Sequence, residues 1–266
     1  AALIYERNHE EAGPLIEILI EKASSRNFVL LLGNVLELGA QSAIAQLNWD
    51  QAQRFLDQSE KLLVESAGLH GLFVAKWKAI LDLLRTNGKK SSLQRLEKIR
   101  EDAQRWEHWE SLRDCDRFYT LVKKDRDRFL YLYFGSPYHT FRTRLILDFD
   151  SKVIIPSEYM LKLGGNAKNP PELDLLSAEV LLCKNRLRAG QFPHRLLITH
   201  VSDFYRPVRI AVAPHLLYPS EFFNPITSPP KIYEIVRRLR AWLQSIRFPL
   251  RIEEIHGYYR LQPTKP

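Results

Sequence analysis

The first 123 residues contain a single proline, Pro14, and their apolar residues recur at the spacing of an α-helix. Proline interrupts a helix unless it lies in the first turn, so a stretch this long with one proline can be helical almost throughout. Polar breaks at Asn48–Asp50 and Asn87–Gly88 fit helix ends, because Asn and Asp cap the start of a helix and Gly ends one. The pattern therefore predicts successive helices of roughly 15 to 20 residues joined by short turns.

Helices of this length with short polar joints stack as a superhelix, because each pair covers the apolar face of its neighbour. One set of residues is spaced so that two helices of a pair can approach closely: Leu38, Gly39, Ser42, Ala52, Leu56 and Ser59. This spacing resembles that of the tetratricopeptide repeat. The resemblance implies a tetratricopeptide-like repeat domain over residues 1–125, which would bind a protein or peptide or mediate oligomerisation. A plain helical bundle is the alternative.

The helical spacing of apolar residues ends near residue 129, where aromatic and branched residues become frequent. Phe129–Phe134 and Phe141–Phe149 are rich in residues that favour strands, and turn-forming residues bound them. Shorter runs indicate further strands at Val153–Ile155, Glu172–Leu176 and either Glu179–Leu182 or Lys184–Leu187. We therefore expect an α+β chain with an all-α N-terminal domain, followed by a second domain over residues 126–266 that begins with an antiparallel β-sheet.

Positive charge is concentrated in the last third of the chain. Residues 183–266 hold 14 Lys and Arg against 5 Asp and Glu, a net charge of +9, whereas the rest of the chain carries −1. Such an asymmetry indicates a polyanionic partner for this part only. A basic domain without such a partner is the alternative that charge alone leaves open.

An amphipathic helix is predicted to follow Thr227–Pro230, with Ser228 as its N-cap and the prolines in its first turn. Projected at about 100° per residue, the apolar side chains of Ile232–Ile246 gather on one face, and Arg237 is at the centre of the opposite face. That outer face fits a DNA major groove, because Arg can hold guanine through two hydrogen bonds and flanking cations neutralise phosphates. A solvated face, with arginines paired to Glu234, is the alternative.

A β-hairpin is predicted after this helix and two shorter helices before it. Leu250–Ile255 alternates between apolar and polar residues, His256–Tyr258 forms a turn, and Tyr259–Leu261 returns. The two preceding helices are expected at Pro193–Phe204 and Val208–Leu217. Helix, helix, loop, basic helix and hairpin follow each other in this order in a winged helix-turn-helix domain.

Two short segments resemble the OmpR-type winged-helix family. Val236–Arg240 is similar to the branched-residue, Arg, Leu, Arg run of that family's recognition helix, and Ile255–Leu261 is similar to the end of its wing. The resemblance covers roughly residues 172–262 and implies double-stranded DNA as the partner. It also implies an antiparallel sheet before the first helix, which the strands between Phe141 and Leu187 would supply. The wing is one residue shorter than in the family, and no receiver domain precedes it.

The resemblance assigns roles to individual residues. Arg237 matches a base-reading position, assisted by Tyr233 and Lys231. Arg238 and Arg240 match backbone-contacting or helix-supporting positions. The residues expected to hold phosphates are Arg238, Arg240, Arg251 and Arg260. His256 falls where the family often has a wing arginine that enters the minor groove.

We therefore expect the C-terminal part of a cytoplasmic transcriptional regulator that binds DNA, with a homodimer matching paired half-sites. The N-terminus lacks an initiator Met and is interpreted as a cut inside a longer protein. One alternative is an adaptor in which both domains bind protein. Another is the regulatory C-terminal half of a larger ATPase or nuclease.

Residues for catalysis, metal binding and membrane insertion are not apparent in the sequence. It contains no GxxxxGK[ST], GxSxG or GxGxxG motif, and no apolar run of about 18 residues. His194 and His200 are six apart, which does not suit metal ligands on a helix. Cys115 and Cys183 are isolated and are expected to be buried and reduced. Asp148 and Asp150 would share one face of a strand, at a solvent edge rather than as a catalytic pair. We expect no enzyme activity, cofactor or metal.

Overall fold

A computed structural model describes residues 2–63, 69–162, 172–174, 176–181, 186–218, 220–248 and 250–263. The structure is mostly helical and contains small antiparallel sheets, in agreement with the predicted α+β class. The chain divides into two compact units. Unit 1 comprises residues 1–133 and 138–153, and unit 2 comprises residues 134–137 and 154–266. No helix in the described ranges is both long and apolar enough to cross a membrane.

The helices up to residue 149 follow one another with short connections. Their bounds are α1 Ala2–Tyr5, α2 His9–Ser25, α3 Val29–Ala45, α4 Trp49–Leu63, α5 Leu69–Arg85, α6 Lys90–Arg105, α7 Trp109–Lys123, α8 Arg126–Phe134 and α9 His139–Phe149. The predicted helical character of residues 1–123 is confirmed for the part that the structure describes.

Helix ends recur at a fixed interval in unit 1. Residues in the left-handed conformation lie 20 or 40 positions apart at Arg7, Asn27, Leu47, Asn87 and Glu107. At each of these positions two amide groups donate to carbonyls of the preceding turn, as at Asn27 to Ser24 (3.0 Å) and Phe28 to Ala23 (2.9 Å). This is the Schellman arrangement, which satisfies the last carbonyls of a helix. Two successive helices with their turns therefore occupy 40 residues.

The residue after several of these left-handed positions begins the next helix. The side chains of Asn8, Asn48 and His108 each accept a hydrogen bond from the amide three residues later, at 3.2 to 3.3 Å. Such an N-cap satisfies one of the first amides of the helix. One residue therefore ends a helix and the next begins another, which keeps the interval constant.

Each of the helices α1 to α6 packs on its successor, and α1, α3, α5 and α7 also pack on one another in that order. Helix α9 contacts α1 and α7. Close approach between α3 and α4 depends on glycine. The Ser59 hydroxyl donates to the Gly33 carbonyl at 2.9 Å, and the Phe55 ring lies 3.1 Å from the place where Gly39 would carry a Cβ.

The predicted strands at Phe129–Phe134 and Phe141–Phe149 are wrong, because both segments are helical. Their buried residues are spaced three to four apart, as Phe129 is from Leu132 and Phe141 from Leu145. β-propensity describes the fit of a side chain to a half-buried surface, and packing in a helix satisfies these aromatic residues equally well. The placement of Asp148 at a solvent edge is also wrong, since its side chain is largely buried on α9.

The described residues of unit 2 form two three-stranded antiparallel sheets and three helices. Its elements are β1 Met160–Lys162, β2 Glu172–Asp174, β3 Val180–Leu181, α10 Phe192–Ser202, β4 Val208–Arg209, α11 Ala213–Leu217, α12 Ser228–Ser245, β5 Leu250–Ile255 and β6 Tyr258–Pro263. The strand orders are β1-β2-β3 and β4-β6-β5. Val153–Ile155 forms no strand. Lys184 lies outside the described residues.

The predicted helix at Val208–Leu217 is wrong in its first half. Val208 and Arg209 form β4, which pairs with Tyr259 and Tyr258 of β6, and helix α11 begins only at Ala213. The strand is fixed by a partner about 50 residues away, and local propensity carries no signal of such a pairing. The other predicted elements, α10, α12 and the hairpin β5–β6, are confirmed within a few residues.

One apolar core holds unit 2 together. It joins side chains from β2 and β3 to those of α10, α11, α12 and the hairpin, among them Leu173, Leu196, Leu217, Leu239 and Tyr259, none of which is exposed. The small β1–β3 sheet thus shares its core with the elements that carry the basic residues.

Candidate nucleic-acid interface

Helix α12 buries one face and exposes the other, as its sequence predicts. Ile232, Ile235, Val236, Leu239 and Leu243 are buried, whereas Tyr233, Glu234, Arg237 and Arg238 are exposed. The start of the helix differs from the prediction in one detail. Thr227 is the N-cap residue, and the Ser228 hydroxyl accepts a hydrogen bond from the Asn224 amide at 2.9 Å instead of capping the helix.

Arg237 projects from the middle of the exposed face and is paired with Glu234. Its Nε and Nη2 atoms donate to the two carboxylate oxygens of Glu234 at 2.8 and 2.7 Å. The hydrogen bond from Arg237 lowers the pKa of Glu234. Because three quarters of the Arg237 side chain is exposed, the pair adds little to stability. The guanidinium therefore holds two acceptors side by side at the surface, which is the arrangement that a guanine edge also offers.

The neighbouring cations of α12 have different surroundings. Arg238 is exposed and has no ion-pair partner within the part of the chain that the structure describes. Lys231, one turn from the start of the helix, donates to Glu221 at 2.9 Å and lies 5.5 Å from the centre of the Tyr218 ring.

Arg240 is partly buried and joins α12 to the hairpin. Its Nε atom donates to the carbonyl of Ile252 on β5 at 2.9 Å. Part of its hydrogen-bonding capacity is therefore used inside the unit, and it fixes the position of β5 relative to the basic helix.

The hairpin β5–β6 carries two further residues of the predicted interface, Arg251 and Arg260. Since alternate residues of a strand face the same side, Arg251, Glu253 and Arg260 share the face opposite to buried Ile252 and Tyr259. Arg251 forms an ion pair with Glu253, and Arg260 lies opposite Glu253 on the partner strand.

His256 is exposed at the turn of the hairpin. Both His256 and Gly257 have positive φ, at 51° and 78°, as in the two-residue turns that match the twist of a hairpin. The Gly257 carbonyl accepts from the Ile210 amide at 2.9 Å, which attaches the turn to the end of β4.

One basic residue near the hairpin was missed by the sequence analysis. The Arg209 guanidinium on β4 lies 5.0 Å from the centre of the Tyr258 ring on β6. The segment was interpreted as part of a helix, so no signal pointed to its place beside the hairpin. Arg209 adds a cation to the sheet face that carries Arg251 and Arg260.

Several buried histidines and aromatic residues of unit 2 have structural roles. The Nδ1 atom of His194 accepts from the Gly190 amide at 3.3 Å, and burial lowers the pKa of His200 to about 4. Trp242 and Tyr259 are buried packing residues, as predicted. Among the described residues, no cluster of His, Cys, Asp and Glu could hold a metal ion. Cys115 is buried, and Cys183 lies outside the described residues.

Comparisons of this chain with family models, with curated proteins and with solved structures found no match.

Proposed function

We propose that unit 2 is an OmpR-type winged-helix domain that binds double-stranded DNA, and that the chain is part of a transcriptional regulator. Helix α12 enters the major groove, where Arg237 reads a base with help from Tyr233 and Lys231. Arg238, Arg251 and Arg260 neutralise phosphates, and His256 at the hairpin turn faces the minor groove. Arg240 mainly holds the hairpin beside the helix.

The order of elements supports this proposal. Helix α10, strand β4, helix α11, helix α12 and the hairpin β5–β6 follow one another, and β4 completes a three-stranded sheet by pairing with β6. A winged helix-turn-helix has its recognition helix directly before the wing, which is the position of α12. A fold alone does not define a function, so the argument depends on the surface.

The observation that carries the proposal is the exposed face of α12. Its arginines at positions 237 and 238 lie outward on a helix whose opposite face is buried, while Arg240 fixes the hairpin next to it. The segment 183–266 also carries a net charge of +9. A rigid helix with exposed cations beside an exposed turn supplies the phosphate and base contacts that DNA recognition requires.

For unit 1 we propose a tetratricopeptide-like helical repeat that binds a protein or peptide or brings two copies of the chain together. The regular helix ends and the contacts among α1, α3, α5 and α7 support a repeat. Its pair of helices takes 40 residues, longer than the roughly 34 residues of a tetratricopeptide repeat.

Variants of α12 test the DNA proposal in a binding assay with a labelled random duplex and the full chain. Arg238→Ala removes a phosphate contact and should weaken binding and reduce the salt slope by roughly 1. Glu234→Gln removes the carboxylate that competes with DNA for Arg237, and should tighten binding. Opposite effects of two substitutions on one helix face are expected only if that face meets a polyanion.

Arg105→Ala is the matched control. Arg105 is exposed, as Arg238 is, but lies on α6, where it pairs with Asp102 at 3.2 Å. It should leave binding unchanged. Equal effects of the α12 and α6 substitutions, or no binding by the unmodified chain at low salt, would contradict the proposal. Either result would favour an adaptor in which both units bind protein.

A further inference from the structure

A cavity of about 340 Å³ lies inside unit 1, between α1, α3, α5, α7 and α9. Its size falls within the range of small-molecule sites, which are mostly apolar and contain a few converging polar groups. Most of the wall is apolar, including Ile44, Trp77, Phe118 and Leu147. The polar part is formed by Gln41, three arginines and one carboxylate.

Three guanidinium groups converge on the carboxylate of Asp148 in this cavity. Arg7 Nη2 lies 2.9 Å from it, Arg144 Nε 2.8 Å and Arg117 Nη2 2.5 Å. Burial raises the pKa of Asp148, but the positive charges of Arg117 and Arg144 outweigh burial and leave the pKa below its usual value. The cluster holds three positive charges and one negative charge, most of them shielded from water.

The two carboxylates beside Tyr5 do not compensate this excess, because each has a cation of its own. Asp114 is bound by Lys76 at 2.6 Å, and Glu110 by Arg113 at 2.9 Å. The pKa of His9 is lowered by burial and by the charges of Arg144 and Arg7, as expected beside an uncompensated positive potential.

Arg117 also has an unused donor. Its side chain is 7% exposed, and its Nε atom has no hydrogen-bond acceptor among the described residues. Its guanidinium carbon lies 5.3 to 5.5 Å from the ring centres of Phe118 and Tyr5. Because this Nε atom is itself buried, it does not face the cavity, and its unshared proton adds to the positive potential behind the wall.

We infer that this cavity binds a small organic carboxylate, whose charged end meets Arg7, Arg117 and Arg144 and whose apolar body packs against Trp77 and Phe118. Asp148 shows that these arginines bind a carboxylate, a group that can take two parallel hydrogen bonds from a guanidinium. A ligand adds a second carboxylate to a cluster that has two surplus positive charges. This site is independent of the DNA interface proposed for unit 2.

Isothermal titration of the full chain with 3-phenylpropanoate tests the site, and 3-phenylpropan-1-ol serves as the uncharged comparison. The acid should bind with one-to-one stoichiometry, and the alcohol at least about tenfold more weakly, since it lacks the charge-assisted hydrogen bonds. Arg7→Ala, at the rim of the cluster, should weaken binding of the acid by about tenfold. Arg105→Ala should not change it.

Asp148→Asn distinguishes a ligand site from a purely structural cluster, because only a ligand site should bind the acid more tightly in this variant. It removes the internal competitor for the arginines, so the affinity for the acid should rise. Leu147→Trp covers the case in which that variant fails to fold. Leu147 is half exposed and lines the cavity, so Trp should fill the space and abolish binding, while Leu31→Trp, at an equally exposed position outside the cavity, should not. Absence of binding by the unmodified chain, or equal binding by Leu147→Trp, overturns the inference.

Discussion

Three arginines within four residues of α12 have three different surroundings. Arg237 holds Glu234 at the surface, Arg238 is exposed without an ion-pair partner among the described residues, and Arg240 donates to the backbone of β5. The periodicity of the sequence predicts that Arg237 lies outward. It does not distinguish Arg238 from Arg240, because the partner of Arg240 is a carbonyl on a strand that comes later in the chain.

His200 provides a prediction about pH at the residue scale. Burial lowers its pKa from 6.5 to about 4, so the folded protein keeps the imidazole neutral while the unfolded chain takes up a proton below pH 6.5. The free energy of unfolding should therefore fall by roughly 2 kcal/mol between pH 7 and pH 5 through this residue. Urea unfolding at both pH values measures it, and His200→Leu should lose this component.

The quantity compared between His200→Leu and the unmodified chain is the change in the free energy of unfolding from pH 7 to pH 5. The contributions of the other histidines are the same in both proteins and therefore cancel. Carboxylates titrate mainly below this window. An identical pH dependence in the two proteins would show that His200 is protonated in the folded state or is not buried.

At the scale of elements, the sequence predicted helices better than strands. Residues 1–123 could be interpreted from spacing alone, since the signals at helix ends are local: Asn87 and Gly88 are left-handed in the structure, and Asn48 caps the start of α4. The segments at 129–134 and 141–149 were misassigned because aromatic and branched residues suit either element. Strand β4 was missed because its partner, β6, lies far along the chain. The arginine cluster around Asp148 joins residues from α7, α9 and the turn after α1, and no motif links them.

Helix α3 provides a prediction about packing. A Cβ on Gly33 would lie 2.7 Å from the Leu63 side chain of α4, so Gly33→Ala should force the two helices apart. Alanine favours a helix over glycine by about 1 kcal/mol, but overpacking costs about 1 to 3 kcal/mol. We therefore expect a lower free energy of unfolding in urea.

Gly71→Ala is the control for this substitution. Gly71 lies exposed in α5, and a Cβ there would meet nothing within 4 Å. The helix propensity of alanine should act alone and raise the stability by up to about 1 kcal/mol. Stabilisation by both substitutions would contradict the close approach of α3 and α4.

At the scale of the whole molecule, the two units differ in charge. The excess of basic residues lies entirely within 183–266, and the rest of the chain is close to neutral. This asymmetry could be derived from the sequence without any knowledge of the fold. The structure adds that the exposed cations are attached to a buried core through α12 and the hairpin, which makes them a fixed surface rather than a mobile tail.

The most direct test of DNA binding is the salt dependence of the affinity of the full chain for a random duplex, followed by fluorescence anisotropy. Each phosphate neutralised contributes a slope of about −0.9 to a plot of log K against log salt. With Arg238 on α12 and Arg251 and Arg260 on the hairpin neutralising phosphates, we expect a slope of about −3. A slope near zero, or no measurable binding at low salt, would contradict a DNA-binding role for this surface.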